Sequence, residues 1–593
     1  MRYLLIKKST SDKLLIIAKI SVLVFVGIYL FGNFEPYFHS SDAYTYAMST
    51  KFLSEGKLAI TNELLEETSA GQFAGGTAWI KTIHDSAIPQ SFGISYFAVV
   101  FYLVFGEYGL FYFNPVITIL FLVSSERIAT KLFNQKVGLF TLLFLSTNHL
   151  IFRTGVSFQT ENLAALFFIL GSFFLIKFLK SRKDTWILLS SSFFSLSVFI
   201  RLSGILVFPL ELFLIPIYFV YLKKSSNWKS ESSIKSMFFE LKNPKNFKKM
   251  FYFLIPWILF LIFWFSFNDF YFGDPLTNYR MENQGFDSRL HRDSNLSSFY
   301  KLEWKHFDIF KEVSKYLLPY QIPSAFNSAE NPLENTLGKS WIFIFYLGIM
   351  ALAILISFKK NKQKMEILAI VLLTLPTIWF YASVTTEERA ELGVPARYII
   401  PALPLSYILL SYIIVKILSL EKESLKIIKW IFGSIMFIFF VGAFYFSPPI
   451  QDIKNDEFNF KNPIIYGERY PLDLEGLESN SVVAARHTDW VLDYRLIPFT
   501  LPMKEKLTDE DVFILKNTIN NGYNVFTFKA PTYPLERDVL VTLIENHGFI
   551  LKDFSNTFCK LELQNNNNKS DKICLTTEHE PHMTPITIQN YGY

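Results

Sequence analysis

Charged side chains are scarce in this chain. Asp, Glu, Lys and Arg make up 18% of its 593 residues, against about a quarter in ordinary soluble domains. With 51% hydrophobic residues and a mean hydropathy of +0.27, this excludes a soluble multidomain protein and implies an integral membrane protein. Cysteine is rarer still: Cys559 and Cys574 are the only two, which leaves room for one disulfide at most. No small-residue cleavage site follows the first apolar run, residues 14 to 32, so that run reads as a retained first span rather than a removed signal. A net charge of +5 does not point to nucleic acid, because the lysines sit in short blocks between apolar runs, where membrane orientation explains them.

What is present is a series of apolar runs. After 14 to 32 they fall near 109 to 126, 137 to 152, 162 to 180, 186 to 200, 202 to 222, 251 to 268, 340 to 358, 366 to 384, 398 to 418 and 427 to 447. Each is roughly long enough to cross a ~30 Å hydrocarbon layer, with 137 to 152 and 186 to 200 on the short side. One further stretch, "SFGISYFAVVFYLVFG" at 91 to 106, decides the topology. If it spans, the basic blocks "KSRK", "KKNKQK" and the lysine-rich 223 to 249 all fall outside, against the positive-inside rule. If it lies along the outer interface, those blocks fall in the cytoplasm. The expected architecture is therefore a polytopic α-helical membrane protein of about eleven spans, multi-pass in the cell membrane, with a cytoplasmic N-terminus.

In this topology the first outer loop is 34 to 108, and the acids Asp42, Glu161, Asp269, Asp274, Glu387, Glu388 and Glu391 gather at the outer surface. The spans are read as nearly free of charge, with Glu211 as the clear exception and a protonated or hydrogen-bonded carboxyl as its ordinary explanation. The membrane region ends near residue 450. Residues 451–563 carry a strand at 481 to 486, a helix opening at Thr508 with its apolar stripe on Val512, Leu515 and Ile519, a strand at 524 to 530, a helix near 535 to 547 and a strand in "FSNTFCKLEL". This order predicts a small extracytoplasmic α/β domain. The tail 564–593 reads as mostly disordered, with a short return strand at "KICLTT". Cys559 and Cys574 flank the Asn run and either pair in this outer domain or remain as two thiols.

The outer loops resemble a known family. "SSDAYTYAMSTKFLSEGKL" is similar to the first outer loop of GT-C fold glycosyltransferases, particularly lipid A aminoarabinose transferases and protein O-mannosyltransferases. In those proteins an acid at the end of the first span precedes a Tyr-Ala step, an amphipathic helix and a Gly, here Asp42, Tyr46-Ala47 and Gly56. The helix from Pro89 to Phe105-Gly106 resembles the juxtamembrane helix of the family. "VSFQTENLAALFFILG" resembles its second acidic loop, with Glu161 as the acid, and "FIRLSGI" its basic step, with Arg201. "NDFYFGDPLTNYR" and "PARYIIPALP" resemble the Asn-x-x-x-Phe-Gly-x-Pro loop and the Arg-Tyr start of a late span. Most members have a second acid where Ala43 stands, and the lysine that some aminoarabinose transferases place before the Pro has no counterpart at Ala87-Ile88. The Trp-Trp-Asp type signature of oligosaccharyltransferases is missing.

The resemblance implies a transferase using a polyprenyl-phosphate sugar donor and a glycan, lipid or protein acceptor, working among membrane lipids and without nucleic acid. It assigns Asp42 and Glu161 as catalytic acids, Arg201, Arg397, Arg153 and Arg280 as donor-phosphate ligands, and Tyr46, His84 and Tyr398 as substrate contacts. Displacement of a lipid phosphate by an acceptor hydroxyl needs a base for the proton and cations for the developing phosphate charge, and Arg suits phosphate through its planar fork. Each residue has an ordinary reading too. Asp42 and Glu161 sit where helix caps occur, the arginines where snorkelling is common, and His84 with Asp85 in a solvated loop. No cofactor is expected; Glu387, Glu388 and Glu391 read as a charged surface turn, with divalent-cation binding as the alternative. Two other functions compete: a polytopic transporter or flippase of lipid-linked glycans, against which stand the lack of an internal repeat and the single mid-span acid, and a membrane-anchored binding protein working through its outer domain.

Overall fold

The computed structural model describes residues 10–32, 41–56, 79–81, 87–89, 93–181, 183–201, 244–275, 322–323, 329–330, 363–383, 399–419, 426–445, 481–485, 497–500, 509–529, 534–555 and 558–564, with a few isolated positions including Cys574. The runs expected at 202 to 222 and 340 to 358, Glu211, Glu387 to Glu391 and the strand at "KICLTT" apart from Cys574 lie outside the described residues or touch only isolated ones.

Helix α1 is Thr10–Gly32 and the polar α2 is Ser41–Ser54. A two-stranded antiparallel ribbon, β1 Trp79–Lys81 and β2 Ala87–Pro89, precedes α3, Gly93–Phe105. The bundle continues with α4 Glu107–Leu132, α5 Gln135–Leu145, α6 His149–Val156, α7 Glu161–Ser181, α8 Asp184–Ile200 and α9 Pro244–Phe272. A two-residue pair, β3 Ile322–Pro323 with β4 Ala329–Glu330, follows. Then come α10 Lys364–Ser383, α11 Leu403–Leu418 and α12 Lys426–Tyr445. Among the described residues five helices are long and apolar enough to cross a membrane, six if the bent pair α5–α6 counts as one span. At 13 residues, α3 reaches only about 20 Å at 1.5 Å per residue. That is short of the hydrocarbon thickness of ~30 Å.

Two features depart from the sequence reading. The run 137 to 152 is not one helix. It breaks after Leu145, and α5 and α6 meet at 67°. The cause is local: "STNH" supplies Asn148, whose side chain accepts from the Leu150 backbone N–H and starts α6 as a new helix. The Asn148 amide also donates to the Tyr407 hydroxyl of α11 at 2.8 Å, so the break is anchored to a late span.

The second departure is charge inside the bundle. Lys19 of α1 and Glu126 of α4 are both 6% exposed and pair at 2.5 Å. Thr130 donates to the same carboxylate at 2.7 Å, and Lys19 also donates to Thr130 and Gln135. A charge costs heavily in an apolar interior unless it is paired and hydrogen-bonded, and here the pair is satisfied on several sides. Gly138 of α5 makes the close approach possible, since a Cβ there would overlap the Thr130 hydroxyl and lie 2.8 Å from Glu126 Oε1.

Toward the C-terminus five strands form one mixed sheet in the order β6-β5-β7-β9-β8, from β5 Val482–Ala485, β6 Ile497–Thr500, β7 Val525–Phe528, β8 Phe549–Asp553 and β9 Phe558–Leu563. Strands β6, β5 and β7 run parallel and β9 pairs antiparallel with both β7 and β8. The helices expected near 508 and 535 are α13 Asp509–Asn520 and α14 Pro534–His547. Strands β6 and β8 were not anticipated. Cys559 and Cys574 are joined in a disulfide, which resolves the open alternative in favour of pairing.

Candidate functional site

Glu161 is the first residue of α7 and is fully buried, while Arg201 follows the last residue of α8. One terminal nitrogen of the Arg201 guanidinium donates to Glu161 Oε1 at 2.6 Å and to the Thr160 hydroxyl at 2.8 Å. The Arg201 side chain keeps 17% of its exposure, Glu161 none. Two residues assigned separate roles on the sequence thus form one unit, made because α7 and α8 are antiparallel neighbours whose serines bond across the seam. Ser197 donates to the Ala164 carbonyl at 2.9 Å and Ser190 to the Gly171 carbonyl at 3.0 Å, the close small-residue packing typical of membrane helices.

The loop that presents Glu161 is held from beneath. Asn114 of α4, 1% exposed, donates through its amide to the carbonyls of Thr154, Ser157 and Gln159. Asn162 completes the support by accepting from Thr154 at 3.0 Å and donating to Thr118 at 2.7 Å. These two amides were not singled out from the sequence. Asn114, seven residues after the start of α4, was the available signal, since a polar residue at membrane depth must have a partner.

Helix α2 closes the site. Its residues Ala43, Tyr46, Ala47 and Thr50 are buried, at the spacing of one helical face. The Tyr46 ring meets Phe158 edge-on at 6.4 Å, three residues before Glu161. The Tyr46 carbonyl accepts from Ser95 of α3 at 3.1 Å. Gly93 of α3 in turn rests on the last turn of α8, where a Cβ would overlap the Phe199 carbonyl, two residues before Arg201. Contacts therefore run in a closed ring from α2 through α3, the end of α8 and the Arg201–Glu161 pair to Phe158 and back to Tyr46. Asp42 lies in the first turn of α2, four residues before Tyr46, so helical geometry puts the two positions one above the other. With Ser41 as the first helical residue, Asp42 is inside the helix rather than at the position preceding it.

The remaining assigned residues divide in two. Arg153, on the last turn of α6, is exposed, and its side chain makes no ion pair or hydrogen bond among the described residues. His84, Arg280, Arg397 and Tyr398 lie outside the described residues, as does Asp85. Next to two of these, the local structure is clear. The Asn268 amide donates to the Pro275 carbonyl at 3.3 Å and folds the end of α9 back on itself. Buried residues Ile399–Ala402 form a tight turn leading into α11, which carries Pro404 in its first turn. Among the described residues no three His, Cys, Asp or Glu side chains gather as a metal site.

The fold has a counterpart among known structures. Over 93% of its length the chain superposes on 98% of the ArnT structure from Cupriavidus metallidurans bound to undecaprenyl phosphate, with a TM-score of 0.52 at 12% identity. The fold is that of the GT-C glycosyltransferases. In sequence, residues 89–234 match the family described as dolichyl-phosphate-mannose-protein mannosyltransferase. The matched segment contains Arg153, Glu161 and Arg201 and stops short of Asp42. The apo oligosaccharyltransferase of Archaeoglobus fulgidus aligns more loosely, over 86% of this chain and 69% of its own, at a TM-score of 0.43 and 11% identity, too low to bear on the fold. No curated protein matches the chain.

Proposed function

We propose that the protein is a membrane glycosyltransferase that moves a sugar from a polyprenyl-phosphate donor to a glycan, lipid or protein acceptor on the outer face of the cell membrane. The observation that supports this most is the packing of α2, through Tyr46, against Phe158 in the loop that presents the buried Glu161–Arg201 pair, with Asp42 one helical turn before Tyr46. A donor of this kind keeps its tail in the bilayer and its anomeric carbon just outside, which is where spans meet loops.

In the reaction the acceptor oxygen attacks the anomeric carbon as the bond from that carbon to the phosphate oxygen breaks. Asp42 takes the hydroxyl proton as general base. The departing lipid phosphate gains negative charge, which guanidinium groups stabilise. Arg201 contributes in the orientation fixed by Glu161 and Thr160, with Arg397, and Arg153 or Arg280, as further phosphate ligands. Tyr46, His84 and Tyr398 contact substrate. A single displacement of this kind inverts the anomeric centre. The eleven-span topology, cytoplasmic N-terminus and extracytoplasmic residues 451–563 belong to this same reading.

The broken span α5–α6 is the one feature that favours a transporter or flippase of lipid-linked glycans, since transporters build sites from discontinuous helices. Reconstituted protein supplied with labelled polyprenyl-phosphate sugars separates the readings. Radiolabel appearing in acceptor supports transfer. Movement of intact donor to a protected leaflet, without transfer, overturns it.

A further inference from the structure

At the opposite end of the bundle two lysines converge without an acid between them. Lys177 of α7 lies 4.8 Å from the centroid of the Phe173 ring, and Lys131, in the last turn of α4, lies 5.7 Å from the same ring. Lys177 also stands 4.2 Å from the Trp186 ring of α8. Trp186 and Phe174 stack at 5.5 Å and 13°. Neither lysine has a carboxylate within ion-pair distance among the described residues, and the neighbouring Lys180 is already taken by Glu366. The nearest acid in sequence to Lys177, Asp184, opens α8 and faces the charge of that helix terminus, and the nearest to Lys131, Glu126, is paired with Lys19. The Trp186 indole N–H has no acceptor among the described residues.

We propose that Lys131, Lys177 and Trp186 form a binding site for the phosphate of an anionic phospholipid in the leaflet opposite the transfer site. Rings hold a cation through their quadrupole, but two ammonium groups sharing one ring repel, and an anion between them removes that repulsion. Depth selects a lipid. Lys177 lies roughly 24 Å along α7 from Glu161 at 1.5 Å per residue, close to the far edge of a ~30 Å hydrocarbon layer. Indole and lysine at that level are the usual partners of headgroups, and basic pockets between spans select anionic ones. The phosphate accepts from both ammonium groups and from the indole N–H, while its acyl chains continue into the bilayer.

The test is native mass spectrometry of the full chain in detergent, titrated with phosphatidylglycerol or phosphatidylcholine, with inorganic phosphate as competitor. Phosphatidylglycerol should bind preferentially and resist millimolar phosphate. Lys131→Gln, a change at an exposed residue that leaves the helices intact, should weaken it about fivefold, and Lys131→Gln with Lys177→Gln about twenty-five-fold. Lys131→Arg should bind like wild type. Equal binding of the two lipids, displacement by inorganic phosphate, or wild-type affinity in Lys131→Gln would each overturn the site.

Discussion

Among the described residues two ion pairs have both partners largely buried, and they are built differently. Lys19–Glu126 is closed, with both side chains 8% exposed and Thr130 and Gln135 filling the remaining directions. Glu161–Arg201 is lopsided: the carboxylate is sealed, and the guanidinium stands at 17% exposure at the end of two spans, ringed by α2 and α3. A pair satisfied from all sides has nothing left to offer a substrate and serves to fix helices in register. A sealed carboxylate that aims a partly open cation is suited to meet an anion. The comparison separates scaffold from site by the symmetry of burial, where ion pairing alone would not.

The largest effect should come from breaking the closed pair. Glu126→Ala leaves Lys19 buried without a counter-charge, which costs about 3–5 kcal/mol. The loss should appear as a steep drop in thermal stability, while whatever protein remains folded keeps its donor affinity. Breaking the lopsided pair should do the reverse. Arg201→Ala removes a charge-assisted contact of about 1.5–3 kcal/mol, read as a roughly ten- to hundredfold loss in donor use with a smaller change in stability. If Arg201→Ala lowers stability as much as Glu126→Ala and leaves donor use intact, the distinction between the two pairs fails. Gly138→Ala sharpens the point from the scaffold side. The added methyl pushes against Thr130 and Glu126 and should cost about 1–3 kcal/mol in stability, with donor affinity unchanged.

How far these pairs were readable in the sequence follows the same division. Glu161 and Arg201 stand at span ends beside family-like motifs, so their positions were anticipated, although their mutual contact was not. Contact between residues forty positions apart depends on which helices pack together, and two hydrophobic runs do not encode that. Lys19 escaped notice as a single lysine within a long apolar run, and Glu126 because it closes one. Only the packing of α1 against α4 and α5 turns them inward. The break at Asn148 did carry a local signal in the Ser146-Thr147-Asn148 cluster of capping residues, outweighed by the apolar run around it. In the C-terminal sheet the helices were read from their periodicity. β6, with Pro498 inside four residues, and β8, which follows α14 directly, had too little alternation to stand out.

The smallest effect lies in that sheet. A hydrogen bond from Lys552 holds the Glu562 carboxyl below its usual value of 4.5, against a smaller opposing effect of burial. A depressed carboxyl contributes stability that is complete above its unfolded value and fades as pH falls through the folded one, so the contribution is lost below about pH 4.5. Because both groups are open to water and screened by salt, it amounts to about 0.2–1 kcal/mol. Lys552→Ala should flatten the acid side of the stability profile by that amount, and an unaltered profile would remove the pair from consideration.

The proposed mechanism rests on Asp42, and one substitution addresses it directly. Asp42→Asn preserves shape but cannot accept the acceptor proton. The measurement is turnover of purified, well-folded Asp42→Asn with a labelled polyprenyl-phosphate sugar, with donor affinity taken on the same sample. A general base at this position predicts a fall in turnover of ~10² to 10⁴ with donor affinity intact. Near-normal turnover would contradict it.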